Sequence, residues 1–509
     1  KKLFENLPSE FLLKILEIIC RITSESINSI NSNPELDLSL EYYSLKSLIV
    51  LCQNSSIIDD WKTKFDEMAE ELIEIFISKN CQIPETSQPV EMVNQLFERI
   101  FDRFIDIYKF KDMYSDIWPL ISTCENKINL RTLVSILLKL IPIIQDDLVI
   151  EITLTKKNSS NNNDGDDDKH VAKLPIELLE NVVKEPEDYI EFEDPFKIQK
   201  FLWSWYLISQ HFVNITHQIR QDYISQLRDY QKTDVIFKLF QFIFQQVETK
   251  DIERLKSIYC IDENEGNSFE YITEFDIATH DDAGADHDEF ILTSKKLLIH
   301  LLYIALREFG TVSQLWFNSV RDLQLKSNIE KIIVNHISPI LVKQEMESLS
   351  KKNNDLVDDV FKIKLNTSSN EIRCLYEIDE KNLILDFKLP INYPLSNIKV
   401  NGITRVGVDE KKWKNWILSS QYVINFQNGT IYDSVLNFKN NVKLNFEGYE
   451  ECAICYSILQ ASDHSLPTKS CPTCHHKFHA ACLYRWLKSS GSSTCPLCRN
   501  KFHFNKNHH

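Results

Sequence analysis

Glycine is scarce in this chain: there are nine in 509 residues, and none before Gly165. Glycine supplies the left-handed backbone that tight turns and two-residue hairpins demand. Its absence therefore excludes a loop-rich or β-rich fold over that first stretch. Long apolar runs are missing too. Crossing a bilayer takes roughly 20 consecutive apolar residues, whereas the best candidate, 133–144, is shorter and contains Lys139 and Pro142. It reads as a buried helix, and no membrane partner is expected. No leader pattern and no initiator Met open the chain, so a fragment or a renumbered sequence is expected. Positive charge is in deficit. A formal net charge of −17 speaks against general nucleic-acid binding and against sequence-specific DNA binding. The 13 cysteines do not form the even set of a secreted disulfide framework. Cys20, Cys52, Cys81, Cys124, Cys260 and Cys374 are scattered singly. That pattern suits a reducing compartment, the cytosol or nucleus.

What is present falls into three regions. Length alone suggests about three or four domains. Residues 1–325 read as helical. Trp61, Phe65, Met68, Leu72 and Phe76 recur at steps of three or four, as do Val93, Phe97, Phe101, Ile105 and Tyr108. Such spacing places apolar side chains along one helix face. Similar segments cover 9–30, 41–53, 128–144, 196–229, 233–248, 291–308 and 326–350. Helix after helix without strand signals suggests an α-solenoid resembling HEAT or armadillo (ARM) arrays, or an irregular helical array, since no residue identities repeat at a fixed period. Two polar stretches interrupt it. Lys156–His170 is low-complexity and reads as a solvated loop, lacking the register and terminal Glu of a calcium loop. Thr279–Glu289 sets His280 and His287 among acids but fits no ligand-spacing template, so it too reads as a solvated loop. Trp203, Trp205 and Tyr206 read as helical core rather than a binding hot spot.

From about residue 350 the apolar period changes from 3.6 to 2. Phe361, Ile363 and Leu365 alternate, then Ile372 to Ile378, then Leu383 to Leu389. Turns are expected at 367–370 and 379–382, and a fourth strand at Ile398 and Val400. Helical signals return with Trp413, Trp416 and Ile417, and again over 431–442. A helix, a four-stranded meander, the Tyr393-Pro394 segment and two helices resemble an RWD domain, so 326–446 is taken as RWD-like. RWD domains share the fold of ubiquitin-conjugating enzymes (E2s) and usually lack their catalytic cysteine; Cys374 lies in a strand, the wrong place for one.

The third region, 447–509, has a core at 452–499. It reads Cys452-x2-Cys455-x15-Cys471-x2-Cys474-x4-His479-x2-Cys482-x12-Cys495-x2-Cys498. Thiolate and imidazole are the ligands zinc prefers, and four pairs complete two four-ligand sites with no position open for a catalytic water. The sites therefore read as structural, supplying the stability that about 50 residues cannot obtain from a core. His475 and His476 are rival ligands. The ligand order fits both the RING and the PHD families. The intervening residues resemble a RING: Ile454 between the first two cysteines, Trp486 after Cys482, and Cys495-Pro496-Leu497-Cys498-Arg499 at the end. Ser493 stands where a PHD finger carries tryptophan.

The RING resemblance implies an interleaved cross-brace, with Cys452, Cys455, His479 and Cys482 on one zinc and Cys471, Cys474, Cys495 and Cys498 on the other. It implies that Ile454, Trp486, Pro496 and Leu497 bind an E2. Arg499 would bridge E2 and donor ubiquitin, a task its planar fork of donors suits. The order of helical array, RWD-like domain and terminal RING resembles the listerin family of ribosome-associated ubiquitin ligases. That resemblance is carried mainly by Cys452-Ala-Ile-Cys455-Tyr456-Ser457, Phe478-His479-Ala-Ala-Cys482-Leu483-Tyr484-x-Trp486 and Ser489 to Arg499. It implies an E3 enzyme that passes ubiquitin from E2 directly to lysines of stalled nascent chains on the 60S subunit, near the exit tunnel and with other quality-control factors. It further implies a cytoplasmic, ribosome-associated protein, with the nucleus as a second compartment. A RING ligase of another pathway, with the solenoid as substrate receptor, and a non-enzymatic Cys/His binding module are the competing expectations. The charge is uneven: seven Lys and Arg against two Asp and Glu from residue 451 onward leave the rest at −22. Any ribosome contact is therefore expected at local basic spots such as Lys411, Lys412 and Lys414, or on ribosomal protein.

Overall fold

A computed structural model describes residues 34–52, 88–103, 111–159, 171–183, 195–259, 269–275, 287–351, 356–446, 450–460 and 462–502. It also describes single positions at 11, 14, 15, 17–19, 21, 22, 72, 73, 76 and 277. The segment Trp61–Met68, most of 9–30, Ile105 and Tyr108, and His280 lie outside the described residues. The chain divides into two compact units, Lys1–Ala305 and Leu306–His509.

Among its described residues the first unit is built of helices joined by short turns and connections. Its helices are α1 (Pro34–Cys52), α2 (Gln88–Arg103), α3 (Tyr114–Thr123), α4 (Lys127–Ser159), α5 (Ile176–Val183), α6 (Pro195–Gln210), α7 (His217–Asp229), α8 (Val235–Gln246), α9 (Thr249–Tyr259) and α10 (Glu270–Thr273). Helix α11 (His287–Glu308) crosses into the second unit. Neighbours in sequence pack as pairs: α1 on α2, α5 on α6, α7 on α8. The stripe foreseen in α2 is buried, with Val93, Phe97 and Phe101 all inside and Phe97 stacked on Phe101. Trp203, Trp205 and Tyr206 are buried on α6. Three boundaries differ from expectation. Helix α4 runs through Pro142 and on to Ser159, so the polar stretch at 156–170 begins inside a helix. Residues 196–229 break at 211–216 into two helices. His287, Asp288 and Glu289 start α11 rather than ending a loop, where two acids favour the positive end of the helix dipole.

The second unit continues with α12 (Gly310–Ser319), α13 (Leu323–Ile332) and α14 (Ser338–Lys351). An antiparallel sheet follows in the order β1 (Phe361–Asn366), β2 (Glu371–Ile378), β3 (Lys381–Lys388), β4 (Lys399–Thr404). Register pairs Ile363 with Cys374, Cys374 with Leu385 and Phe387 with Val400. One face therefore collects Phe361, Ile372, Cys374, Leu383, Leu385 and Phe387 in the core. Helices α15 (Glu410–Phe426) and α16 (Ile431–Phe446) contribute Trp413, Trp416, Val435 and Phe438 to the same core. Gly402 lets helix and sheet approach, since a Cβ there would lie 2.6 Å from the Trp413 ring. On β2 and β3, Arg373 donates twice to Asp386, each at 2.8 Å, a bidentate pair bridging the strands. The C-terminal segment has little regular structure: the short ladder β5 (Lys469–Ser470) with β6 (Lys477–Phe478), then α17 (Ala480–Ser490).

Candidate metal centre and partner surface

Three copies of one turn build the C-terminal segment. In each, the first cysteine's N–H donates to a carbonyl five residues on: Cys452 to Ser457 and Cys471 to His476 at 3.0 Å, Cys495 to Asn500 at 2.9 Å. The N–H of Tyr456, His475 and Arg499 returns to the first cysteine's carbonyl at 2.8, 2.9 and 3.1 Å. All three residues adopt the left-handed conformation, with φ of 56°, 59° and 59°. This turn is why two cysteines separated by two residues point to one place.

The turns and α17 then bring the ligands together in two sets, Cys452 with Cys455, His479 and Cys482, and Cys471 with Cys474, Cys495 and Cys498. Within each set all ligand atoms lie within 4.8 Å of one another. Cys471 Sγ is 3.7 Å from Cys498 Sγ, and Cys474 Sγ is 3.7 Å from Cys495 Sγ. Disulfide sulfurs would be about 2.05 Å apart. Zn–S bonds of about 2.3 Å on a tetrahedron put sulfurs about 3.8 Å apart, so the donor set and its spacing fit zinc. His479 Nδ1 lies 3.3 Å from Cys455 Sγ and 3.7 Å from Cys482 Sγ. Its other nitrogen, Nε2, donates to the Ile458 carbonyl at 2.9 Å, which keeps the Nδ1 lone pair toward the thiolates. His475 and His476 are exposed and belong to neither set.

The residues expected to meet a partner come from all three parts of this frame. Ile454 sits in the first turn and packs partly into the segment's small core beside Cys482 and Leu487. Pro496 and Leu497 sit in the third turn, Leu497 being 45% exposed. Trp486 is 37% exposed on α17, and its indole N–H donates to the Thr494 carbonyl at 3.3 Å, tying the helix to the third turn. Gly491, at φ 62°, ends α17 in the left-handed conformation that terminates helices. Arg499 is exposed at the end of the third turn. Tyr456 and Tyr484 are more exposed than Trp486 and Leu497, at 76% and 70%. Both stand in the motifs that carry the sequence resemblance, which assigned them no partner role.

Cys374 is the one cysteine of residues 361–445. It is fully buried in β2, and burial pushes its thiol far above the ordinary range. A thiol that neither meets solvent nor ionises cannot carry a thioester.

The fold and the paired ligand sets define the C-terminal module as a RING finger, preceded by an E2-like α+β domain and a HEAT-like helical region. Comparison with known families agrees in order. Residues 108–350 match the LTN1 family HEAT repeat region, 361–445 a ubiquitin conjugating domain-like family, and 450–499 the Ring finger domain. The chain is homologous to listerins over most of its length. It is 38% identical to the E3 ubiquitin-protein ligase listerin of Saccharomyces cerevisiae across 84% of this chain and 27% of that protein. With the listerin of Schizosaccharomyces pombe it shares 34% identity across 58% of this chain and 17% of the relative, and with that of Xenopus tropicalis 29% across 64% and 19%. The chain thus spans about a quarter or less of these relatives' length.

Proposed function

We propose that this chain is the ligase-bearing part of a RING-type E3 ubiquitin-protein ligase of ribosome-associated quality control. It binds a ubiquitin-charged E2 and promotes direct transfer to lysines of stalled nascent chains on the 60S subunit. In that reaction the lysine Nζ attacks the thioester carbonyl, an isopeptide C–N bond forms and the C–S bond to the E2 cysteine breaks. No covalent ligase intermediate arises. The observation that carries the reading is the paired ligand sets holding Ile454, Trp486, Pro496 and Leu497 at the surface of one rigid frame, with Cys374 buried. Such a frame contributes by proximity, which can supply several kcal/mol of a barrier. Arg499, beside the last ligand, would order the donor ubiquitin. Two zinc ions, one per ligand set, would serve as structural crosslinks with no part in bond making.

The ribosomal half of the proposal rests on the listerin relatives and on one local feature. Lys411, Lys412 and Lys414 are exposed in the first turns of α15, where the helix dipole favours acids. Cations at a helix N-terminus cost stability unless an anionic partner compensates. Lys414 pairs with Glu410 at 2.7 Å and Lys412 reaches Asn445, while Asp409 caps the helix through the Lys411 N–H. Reversing all three lysines to glutamate leaves the cap in place and suits the dipole, so the fold should hold. We expect that variant to lose most of its co-sedimentation with 60S subunits at low salt and to stop modifying a stalled nascent chain. Stimulation of E2 discharge onto free lysine should be unchanged. Undiminished sedimentation would remove these lysines from the ribosome contact. Modification of other proteins without any 60S association would favour a ligase of another pathway. A cytoplasmic, ribosome-bound distribution is part of the same proposal.

A further inference from the structure

Among the described residues, Ile458, Leu459, His464 and Leu466 of the spacer between the first two knuckles meet the E2-like domain. Leu459 is buried against Ile378 and Val406, with Tyr376, Phe446, Ile458 and Leu466 packed around them. The Leu459 N–H donates to Asp379 Oδ2 at 2.6 Å, and Lys381 Nζ donates to His464 Nε2. Gly407 makes the approach possible. At its φ of 65° an added Cβ would lie 2.7 Å from Leu459 Cδ2 and 3.0 Å from Phe446 Cε1.

The β2–β3 turn that offers Asp379 is locally unfavourable. Register pairs Ile378 with Lys381, leaving Asp379 and Glu380 as a two-residue connection with φ of 45° and 63°. Such a turn favours Asn-Gly, and side chains at both positions strain it. The Asp379 carboxylate is turned out of the hairpin onto the spacer, one residue from Ile458, whose carbonyl orients the His479 ring.

We infer that Asp379 is a positioning residue for the first metal site: the E2-like domain buttresses His479 through the Asp379–Leu459 hydrogen bond and the adjoining Ile458 carbonyl. Hydrogen-bond partners of a ligating histidine usually change metal affinity by roughly 10–100-fold when lost. Asp379 acts one link further out, so a change near the lower end of that range is expected. The inference rests on the zinc sites of the proposed function but not on ligase activity.

The test loads the full chain with Co²⁺, whose absorption separates a three-thiolate, one-imidazole site from a four-thiolate site, and follows release to excess chelator. Asp379→Ala should speed release from the site containing His479 about tenfold and leave the four-cysteine site unchanged. Asp379→Asn keeps an acceptor oxygen and should restore slow release. Glu380→Gly removes the neighbouring strain without touching the acceptor and should behave as the parent chain. Unchanged release in Asp379→Ala, or equal acceleration at both sites, overturns the inference, the latter by showing general loosening. A chain that releases metal as expected yet stimulates no E2 would instead count against the ligase reading alone.

Discussion

Replacing Cys471 with alanine will remove one of two zinc equivalents per chain and abolish E2 stimulation. Cys471 is fully buried, and its set joins the second turn to the third, which carries Pro496, Leu497 and Arg499. The segment's apolar core holds little beyond Phe478, Leu483, Phe502 and the ligands themselves. Burying so few side chains cannot by itself offset the entropy of ordering some 50 residues. Structural zinc contributes on the order of 10–16 kcal/mol in small domains, so metal and fold are lost together. Metal analysis should fall from about two zinc per chain to about one. Amide exchange over residues 471–478 and 491–502 should rise toward that of unfolded chain, while His479 and Cys482, held by the other set, and residues 361–446 stay protected. Full zinc content with intact protection would contradict the account of these sites.

Trp413→Ala should be the most damaging single change outside the RING. The indole is buried over Gly402, with ring centroids 6.3 Å from Trp416 and 6.2 Å from Phe438. Glycine under the ring offers no side chain from β4 to fill the space. Large aromatic-to-alanine cavities cost about 3–5 kcal/mol. Exchange protection over β3, β4 and α15 should drop by about two to three decades, each decade being about 1.4 kcal/mol. A loss below about 1 kcal/mol would mean that the sheet and helix close over the gap.

These two predictions lean on features of unequal legibility in the sequence. The two Cys/His sets that the structure brings together were legible, because the Cys-x2-Cys turn is local and the RING resemblance favours His479 over His475 and His476. The meander was equally plain, since Phe361 to Leu389 alternates with period 2 and one face is buried. The end of α4 was not legible. Asparagine and serine at 158–159 have weak helix propensity, and the helix carries them past the apolar stripe. The break at 211–216 was missed because apolar residues continue through it. Nothing local marks Asp379 or Gly407. Their roles arise from contact with Leu459, 80 residues from Asp379, and no periodicity encodes a contact between two domains.

The central claim is that this chain positions a charged E2 through the RING surface. The most direct measurement is single-turnover discharge of E2~ubiquitin onto free lysine by the full chain, comparing the parent with Arg499→Ala and Trp486→Ala at equal zinc content. The account predicts strong stimulation by the parent and loss of at least tenfold in each variant. Absence of stimulation across a panel of E2 enzymes, from a chain holding both zinc equivalents, would contradict it and leave a Cys/His module that only binds.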